Sequence, residues 1–203
     1  MSQPADQQPC AVVTGGARNI GQAIALRLQQ DGYRVVVVDI VEPEAPTLQA
    51  DAYQVDLADA DATRRVMAEI AEHHAVTRLV NNVGIVAPAL IEEAQLEDFD
   101  KLMHLNVRSA LICTQALLPS MKASGMGRIV LNTSRVVLGK EARTIYSATK
   151  GHCNPWRAHG RWNLPNTILR LIALRQAPLR PVLSGKTTHP ILNAPDASSK
   201  IFR

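Results

Sequence analysis

Cys10-Ala-Val-Val-Thr14-Gly15-Gly-Ala-Arg18-Asn-Ile20-Gly21 is the stretch whose reading decides the fold. Residues 10–14 are a short, β-rich apolar run. A glycine turn follows, and then Ile20, Ala23, Ile24, Leu26 and Leu28 recur on an otherwise polar segment. That succession predicts strand, tight turn and helix. Working outward, Tyr33-Arg-Val-Val-Val-Val-Asp39 is too continuously apolar for a strand with one wet face, which predicts a parallel strand covered by helices on both sides. Further short strands are expected at 53–56, 78–82 and 128–133, separated by helical stretches near 60–74 and 97–123. Alternation of this kind implies an α/β fold with a doubly wound parallel sheet.

At 203 residues the chain suits one domain, large enough to bury roughly two-thirds of its unfolded surface without covalent staples. Its three cysteines, Cys10, Cys113 and Cys153, are an odd number without metal-ligand spacing, so a reduced, cytoplasmic protein with no metal site is expected. Residues 1–9 are polar, lack the basic and apolar regions of a secretion signal, and are expected to be disordered. No apolar run approaches a membrane span. The formal net charge is +4, but residues 1–150 hold 14 Lys+Arg against 17 Asp+Glu, while residues 151–203 hold 8 against Asp196 alone. The excess base belongs to the tail, so the body carries no nucleic-acid or membrane signal. Three histidines, His73, His74 and His104, have no convergent carboxylate or cysteine and read as surface or packing residues.

The glycine turn sits where free backbone N–H groups and the positive end of a helix can hold a pyrophosphate. Asp39 ends the second strand, where a carboxylate can accept hydrogen bonds from an adenosine ribose and repel a 2′-phosphate. Further along, Tyr146-Ser-Ala-Thr-Lys150 places a phenol and an amine on one helix face. A free tyrosine ionises near pH 10, and an adjacent cation favours the phenolate, so Lys150 is expected to bring Tyr146 toward neutrality.

These features together resemble the short-chain dehydrogenase/reductase family, whose fold is of the Rossmann type and among whose members are reductases of 3-oxoacyl thioesters. The family's loop reads Thr-Gly-x-x-x-Gly-x-Gly. Gly15 and Gly21 match it, and Asn19 replaces the middle glycine, a substitution that costs about 1 kcal/mol or less because asparagine tolerates a left-handed backbone. Ile20 and Leu57 fall at further cofactor-contact positions. The resemblance implies that Asp56 contacts adenine, that Asn81-Asn82-Val-Gly84 ends a strand beside the cofactor, and that Asn106, Ser134, Tyr146 and Lys150 are the catalytic set. Tyr146 and Lys150 also hold the cofactor. Tyr146 would exchange a proton with the substrate oxygen during hydride transfer, Ser134 would hold that oxygen, and Asn106 would support a water chain feeding Lys150. Thr133 is a rival for the serine's role. Arg18 stands where the family's NADP users often carry a basic residue, in disagreement with Asp39. The expectation here is NAD, with NADP as the alternative, because a phosphate beside a fixed carboxylate is costly. The substrate would be a small carbonyl or alcohol. The family's homotetramer rests partly on C-terminal sequence that differs here, so the oligomeric state is left open.

The resemblance covers about residues 10–151, expected to be the dinucleotide-binding and catalytic domain, and residues 152–203 are expected to be an atypical basic tail. Pro155 falls where a helix interior belongs, and Arg- and Pro-rich sequence continues through Pro181. Restoring one base near codon 151 permits synonymous codons that read KGALQSMARTWALELA and then QHNITVNCIAPGPIAT, an amphipathic helix followed by a β-rich strand. The tail is therefore expected to be out-of-frame sequence, with the sixth strand of the sheet missing or atypical and strand 128–133 left as an open apolar edge. Two alternatives follow: a catalytically impaired protein that binds NAD(H) without turnover, and a basic tail from Leu169 onward that docks on an anionic membrane or nucleic acid.

Overall fold

The computed structural model describes residues 8–151 and, as backbone, residues 168–175. Six strands lie in one parallel sheet: β1 (Cys10–Thr14), β2 (Arg34–Asp39), β3 (Ala52–Gln54), β4 (Val76–Asn81), β5 (Met126–Thr133) and β6 (Ile168–Arg175), in the order β3-β2-β1-β4-β5-β6. The chain winds outward one way from β1 and then the other way from β4. The β1/β4 boundary is thus the point where the strand order reverses, and ligands of open α/β sheets bind outside the carboxyl ends of the strands there.

The α-helices of the described residues are α1 (Asn19–Gln30), α2 (Ala60–His73), α3 (Leu96–Met103), α4 (Ser109–Ala123) and α5 (Thr144–Gly151). The sheet is covered on both faces. On one, Val12, Val36, Val38, Leu79 and Ile129 meet Met67 and Ile70 of α2 and Cys113, Leu117 and Met121 of α4. On the other, Ala11, Val13, Val35, Val37, Val80 and Val130 meet Ala25 and Leu28 of α1. Alternate residues of β2 therefore enter opposite cores, which is why its sequence is apolar at every central position. Asp59 caps α2, its carboxylate accepting from the Asp61 and Ala62 amides.

The edge of β5 is not open. The sixth strand, expected to be missing or atypical, is present, and β6 pairs with β5 in parallel register from Met126↔Ile168 to Thr133↔Arg175, which overturns the open edge expected there. Ile168-Leu-Arg-Leu-Ile-Ala-Leu-Arg175 is mostly aliphatic and free of proline, so its backbone can saturate the row of unpaired groups that an edge presents. The stretch from Leu169 to Arg175, read above as the start of a surface-docking tail, is thus sheet. The rest of the basic tail and the reading of a shifted frame at residues 152–167 and 176–203 lie outside the described residues. So does the proposed disorder of residues 1–7. Gln8 and Pro9 are tied down, through Gln8 Nε2 to the Gly32 carbonyl and the Arg34 amide to the Pro9 carbonyl.

Candidate active site

The glycine turn is built by close approach. Gly15 takes φ +64° and Asn19 φ +49°, so the residue standing in for the middle glycine adopts the left-handed backbone that asparagine tolerates. A Cβ at Gly21 would lie 1.8 Å from the Gly15 carbonyl oxygen and 2.7 Å from Asn82 Nδ2. Intrahelical bonding in α1 begins with the Gln22 amide donating to the Arg18 carbonyl, which leaves the amides of Asn19, Ile20 and Gly21 at the helix's positive end. This turn, at the strand-order reversal, fits the pyrophosphate of a dinucleotide.

Polar groups fasten the turn to its neighbours. Thr14 Oγ1 accepts from the amides of Asn82 (3.1 Å) and Val83 (3.3 Å), and Asn82 Nδ2 donates to the Gly15 carbonyl at 2.9 Å. Asp39 Oδ2 accepts from the Ala17 amide at 3.0 Å, and its Oδ1 accepts from Ile40 at 2.7 Å. The carboxylate expected to face a ribose is thus held against the turn by backbone donors. Arg18 forms an ion pair with Glu44, Nε to Oε1 3.2 Å. Asp56 is exposed and accepts from the Ala58 amide, while Leu57 is buried and contributes its side chain to the core. Ile20 remains 44% exposed at the start of α1.

The second half of the site is assembled from β4, β5 and α5, with the junction of α3 and α4. That junction is a π-helical turn, His104–Arg108, and it carries Asn106. Extra turns of this kind often mark functional sites because they displace a residue from the regular ladder. Asn106 Oδ1 accepts from the Ile85 amide at 2.9 Å, and its Nδ2 donates to the Ile85 carbonyl and to Thr149 Oγ1, each at 3.0 Å. The amide therefore clamps the chain beyond Gly84 to α5. Gly84 packs closely as well: a Cβ there would sit 3.0 Å from Lys150 Nζ and 3.1 Å from Asn106 Oδ1, so those groups would have to give by a few tenths of an ångström.

Lys150 is only 6% exposed, donates to the Asn132 carbonyl at 3.1 Å, and places Nζ 5.9 Å from the centroid of the Tyr146 ring. Ser134 Oγ accepts from the Val136 amide at 3.3 Å, which sets the hydroxyl at the mouth of β5, on the side of the Tyr146 phenol. Thr133, the rival, is buried in β5. Burial pushes the Tyr146 phenol above its usual range, and the Ser134 hydrogen bond and the Arg143 charge pull in the other direction. The sequence reading expected a net downward shift set by Lys150. The net direction is upward because a half-buried phenolate loses more hydration than these partners restore.

Several contributors escaped the sequence reading. Asn132 bridges the two halves, its Nδ2 donating to Asn82 Oδ1 at 2.7 Å while its carbonyl takes Lys150. Its signal was a polar residue at a buried strand position two before Ser134. Thr149, fully buried, had no signal beyond its place beside Lys150. A water-sized cavity lies among Asn81, Asn106, Asn132 and Lys150. Asn81 Oδ1 is buried without a hydrogen-bond partner among the described residues. A polar lining of this kind suits a bound water.

A sheet of this order, a glycine turn at its reversal, a hydroxyl at the carboxyl end of β5, and a phenol and an amine one turn apart on α5 define a dinucleotide-binding oxidoreductase class. Residues 9–168 match the family model described as short chain dehydrogenase, and the chain belongs to that family. It is 29% identical over 196 residues to the 3-oxoacyl-(acyl-carrier-protein) reductase FabG of Staphylococcus epidermidis, covering 91% of this chain and 77% of that protein. Versicolorin reductase 1 of Aspergillus parasiticus is 33% identical over 154 residues, covering 70% of this chain and 58% of its own. Among solved structures, an NADP-bound protein from Beutenbergia cavernae described as an NAD(P) dependent gluconate 5-dehydrogenase superposes with a TM-score of 0.76 at 30% identity, covering 82% of this chain and 71% of that one.

Proposed function

We propose that residues 10–151, closed at the sheet edge by β6, bind NAD(H) and interconvert a carbonyl and a secondary alcohol, with Tyr146 as the general acid and base. The observation that carries the reading is the joint placement of Tyr146 and Lys150 beside the end of β5: a buried ammonium held by the Asn132 carbonyl, 5.9 Å from the centroid of a half-buried phenol, with the Ser134 hydroxyl two residues after Asn132. The glycine turn and the amides of Asn19, Ile20 and Gly21 would hold the pyrophosphate, Asp39 the adenosine ribose, Asp56 and the backbone at Leu57 the adenine, and Asn82 and Gly84 the strand end beside the nicotinamide. When bound, the nicotinamide supplies or accepts the hydride.

The protein's own groups handle the proton. Ser134 Oγ fixes the substrate oxygen by a hydrogen bond. Tyr146 Oη gives its proton to that oxygen in reduction and takes it back in oxidation. Burial keeps the phenol in its neutral, proton-donating form, which is the form reduction uses. Lys150 stabilises the phenolate left behind, and Asn106 fixes Ile85 and Thr149 so that Lys150 stays in place. The 3-oxoacyl thioesters named for the Staphylococcus relative are the first substrates to try.

The alternative is NAD(H) binding without turnover, and the raised Tyr146 phenol is the observation that favours it. Titrating NADH into the purified chain, followed by reduction of a ketone and thioester panel, separates the two. Binding with turnover that is abolished in Tyr146→Phe supports the enzyme. Binding alone supports the impaired form, and absence of binding defeats both.

A further inference from the structure

The two cues to cofactor choice, Asp39 and Arg18, disagree only while Arg18 is free to meet a 2′-phosphate. Glu44 holds it elsewhere. The Glu44 carboxylate pairs with Arg18 Nε at 3.2 Å, and the Glu44 amide donates to the Ala17 carbonyl at 3.2 Å. Ala17 is gripped from the other side as well, since its own amide donates to Asp39 Oδ2. The segment leading from Asp39 to Glu44 thus crosses the glycine turn, attached to Ala17 at both of its peptide groups and to Arg18 by charge.

We propose that Glu44 is a specificity-determining residue: it occupies and neutralises Arg18, so that an adenosine 2′ position meets the Asp39 carboxylate without a free Arg18 beside it, and the site discriminates against 2′-phosphorylated dinucleotides. This rests on the dinucleotide-binding reading above. The device is additional to Asp39. A 2′-phosphate arriving at the site would have to displace one carboxylate from Arg18 while approaching another. The backbone bond from Glu44 to Ala17 does not involve the side chain, so Glu44→Gln removes the charge and leaves the segment attached.

Arg18 and Glu44 side chains are 56% and 60% exposed. Water and salt therefore limit the effect to the range of surface pairs, about two- to five-fold in affinity. The test is fluorescence titration of NADH and NADPH, with ADP and 2′,5′-ADP as probes of the adenosine half alone, into wild type, Glu44→Gln, Arg18→Gln and the double variant. The expected result is NADPH and 2′,5′-ADP binding tightened about two- to five-fold by Glu44→Gln, NADH and ADP unchanged, and no tightening in the Arg18→Gln background. The gain should shrink as salt is raised. Equal changes for phosphorylated and unphosphorylated ligands would mean that Glu44 only shapes the turn, and no change would mean that Arg18 is not held from the phosphate; either overturns the proposal while leaving dinucleotide binding intact. Wild type that binds none of the four ligands would overturn the functional reading along with it.

Discussion

Replacing Gly21 with alanine tests the glycine turn where its packing is tightest. The new Cβ would lie 1.8 Å from the Gly15 carbonyl oxygen, 2.7 Å from its carbon and 2.7 Å from Asn82 Nδ2. Contacts under 3.0 Å must be relieved, so the carbonyl would retreat by more than an ångström, or α1 would move away from β1. Overpacking of this sort costs about 1–3 kcal/mol. Moving the carbonyl also strains the bond it accepts from Asn82, worth about 0.5–1.5 kcal/mol. The expected loss is therefore about 2–4 kcal/mol, or about 4–16 °C in Tm for a chain of this size. Because the same displacement carries the Asn19, Ile20 and Gly21 amides with it, NADH affinity should fall about tenfold or more. Gly32→Ala is the control: Gly32 has φ +87° with nothing within 4 Å of a Cβ, so it pays backbone strain of about 1–2 kcal/mol without touching the turn. Thermal unfolding and NADH titration of both variants decide the matter. Gly21→Ala with wild-type Tm and affinity, or Gly32→Ala weakening NADH as much, would refute the reasoning.

Three further outcomes are expected. Burial pushes the Cys10 and Cys113 thiols up to about 12; unfolded thiols ionise near 8.5, so above that pH the unfolded state binds fewer protons, and stability declines as pH rises toward 12, by about 1.4 kcal/mol per pH unit for each thiol. Denaturant melts of wild type and Cys113→Ala between neutral and alkaline pH check this, the variant showing the shallower decline. Leu79→Ala, at a fully buried β4 position between α2 and α4, should cost about 2–5 kcal/mol in a denaturant melt. Ala173→Pro and Leu174→Pro lie in β6 opposite Leu131 and Asn132; consecutive amides of a strand point to opposite sides, so one of the two removes a donor to β5. That variant alone should aggregate in light scattering, and equal solubility of both would argue against the β6 pairing.

What the sequence made legible was local. β2 could be read because a strand buried on both faces must be apolar throughout, and Asn19 could be read because its left-handed backbone is a property of the residue itself. The order of Asn106, Ser134, Tyr146 and Lys150 was legible for the same reason that a motif is: each is named by type and spacing. β6 was not, because Arg170 and Arg175 among Arg- and Pro-rich neighbours masked an aliphatic run whose partner, β5, lies some forty residues earlier. Nor were the bonds from Asn132 to Asn82 and from Glu44 to Arg18, which exist only once β4 lies beside β5 and β1 beside β2. The direction of the Tyr146 shift depended on burial, a tertiary quantity that the spacing of Tyr146 and Lys150 does not contain.

The most direct measurement is the loss of reduced-nicotinamide absorbance when purified wild type and Tyr146→Phe are given NADH and a panel of 3-oxoacyl thioesters and simple ketones, with NADH affinity measured alongside. Turnover by wild type is expected, with a fall of about 10²–10⁴ in kcat for Tyr146→Phe while the variant still binds NADH. Undiminished turnover in Tyr146→Phe, or wild type that binds NADH and reduces nothing on the panel, would contradict this expectation.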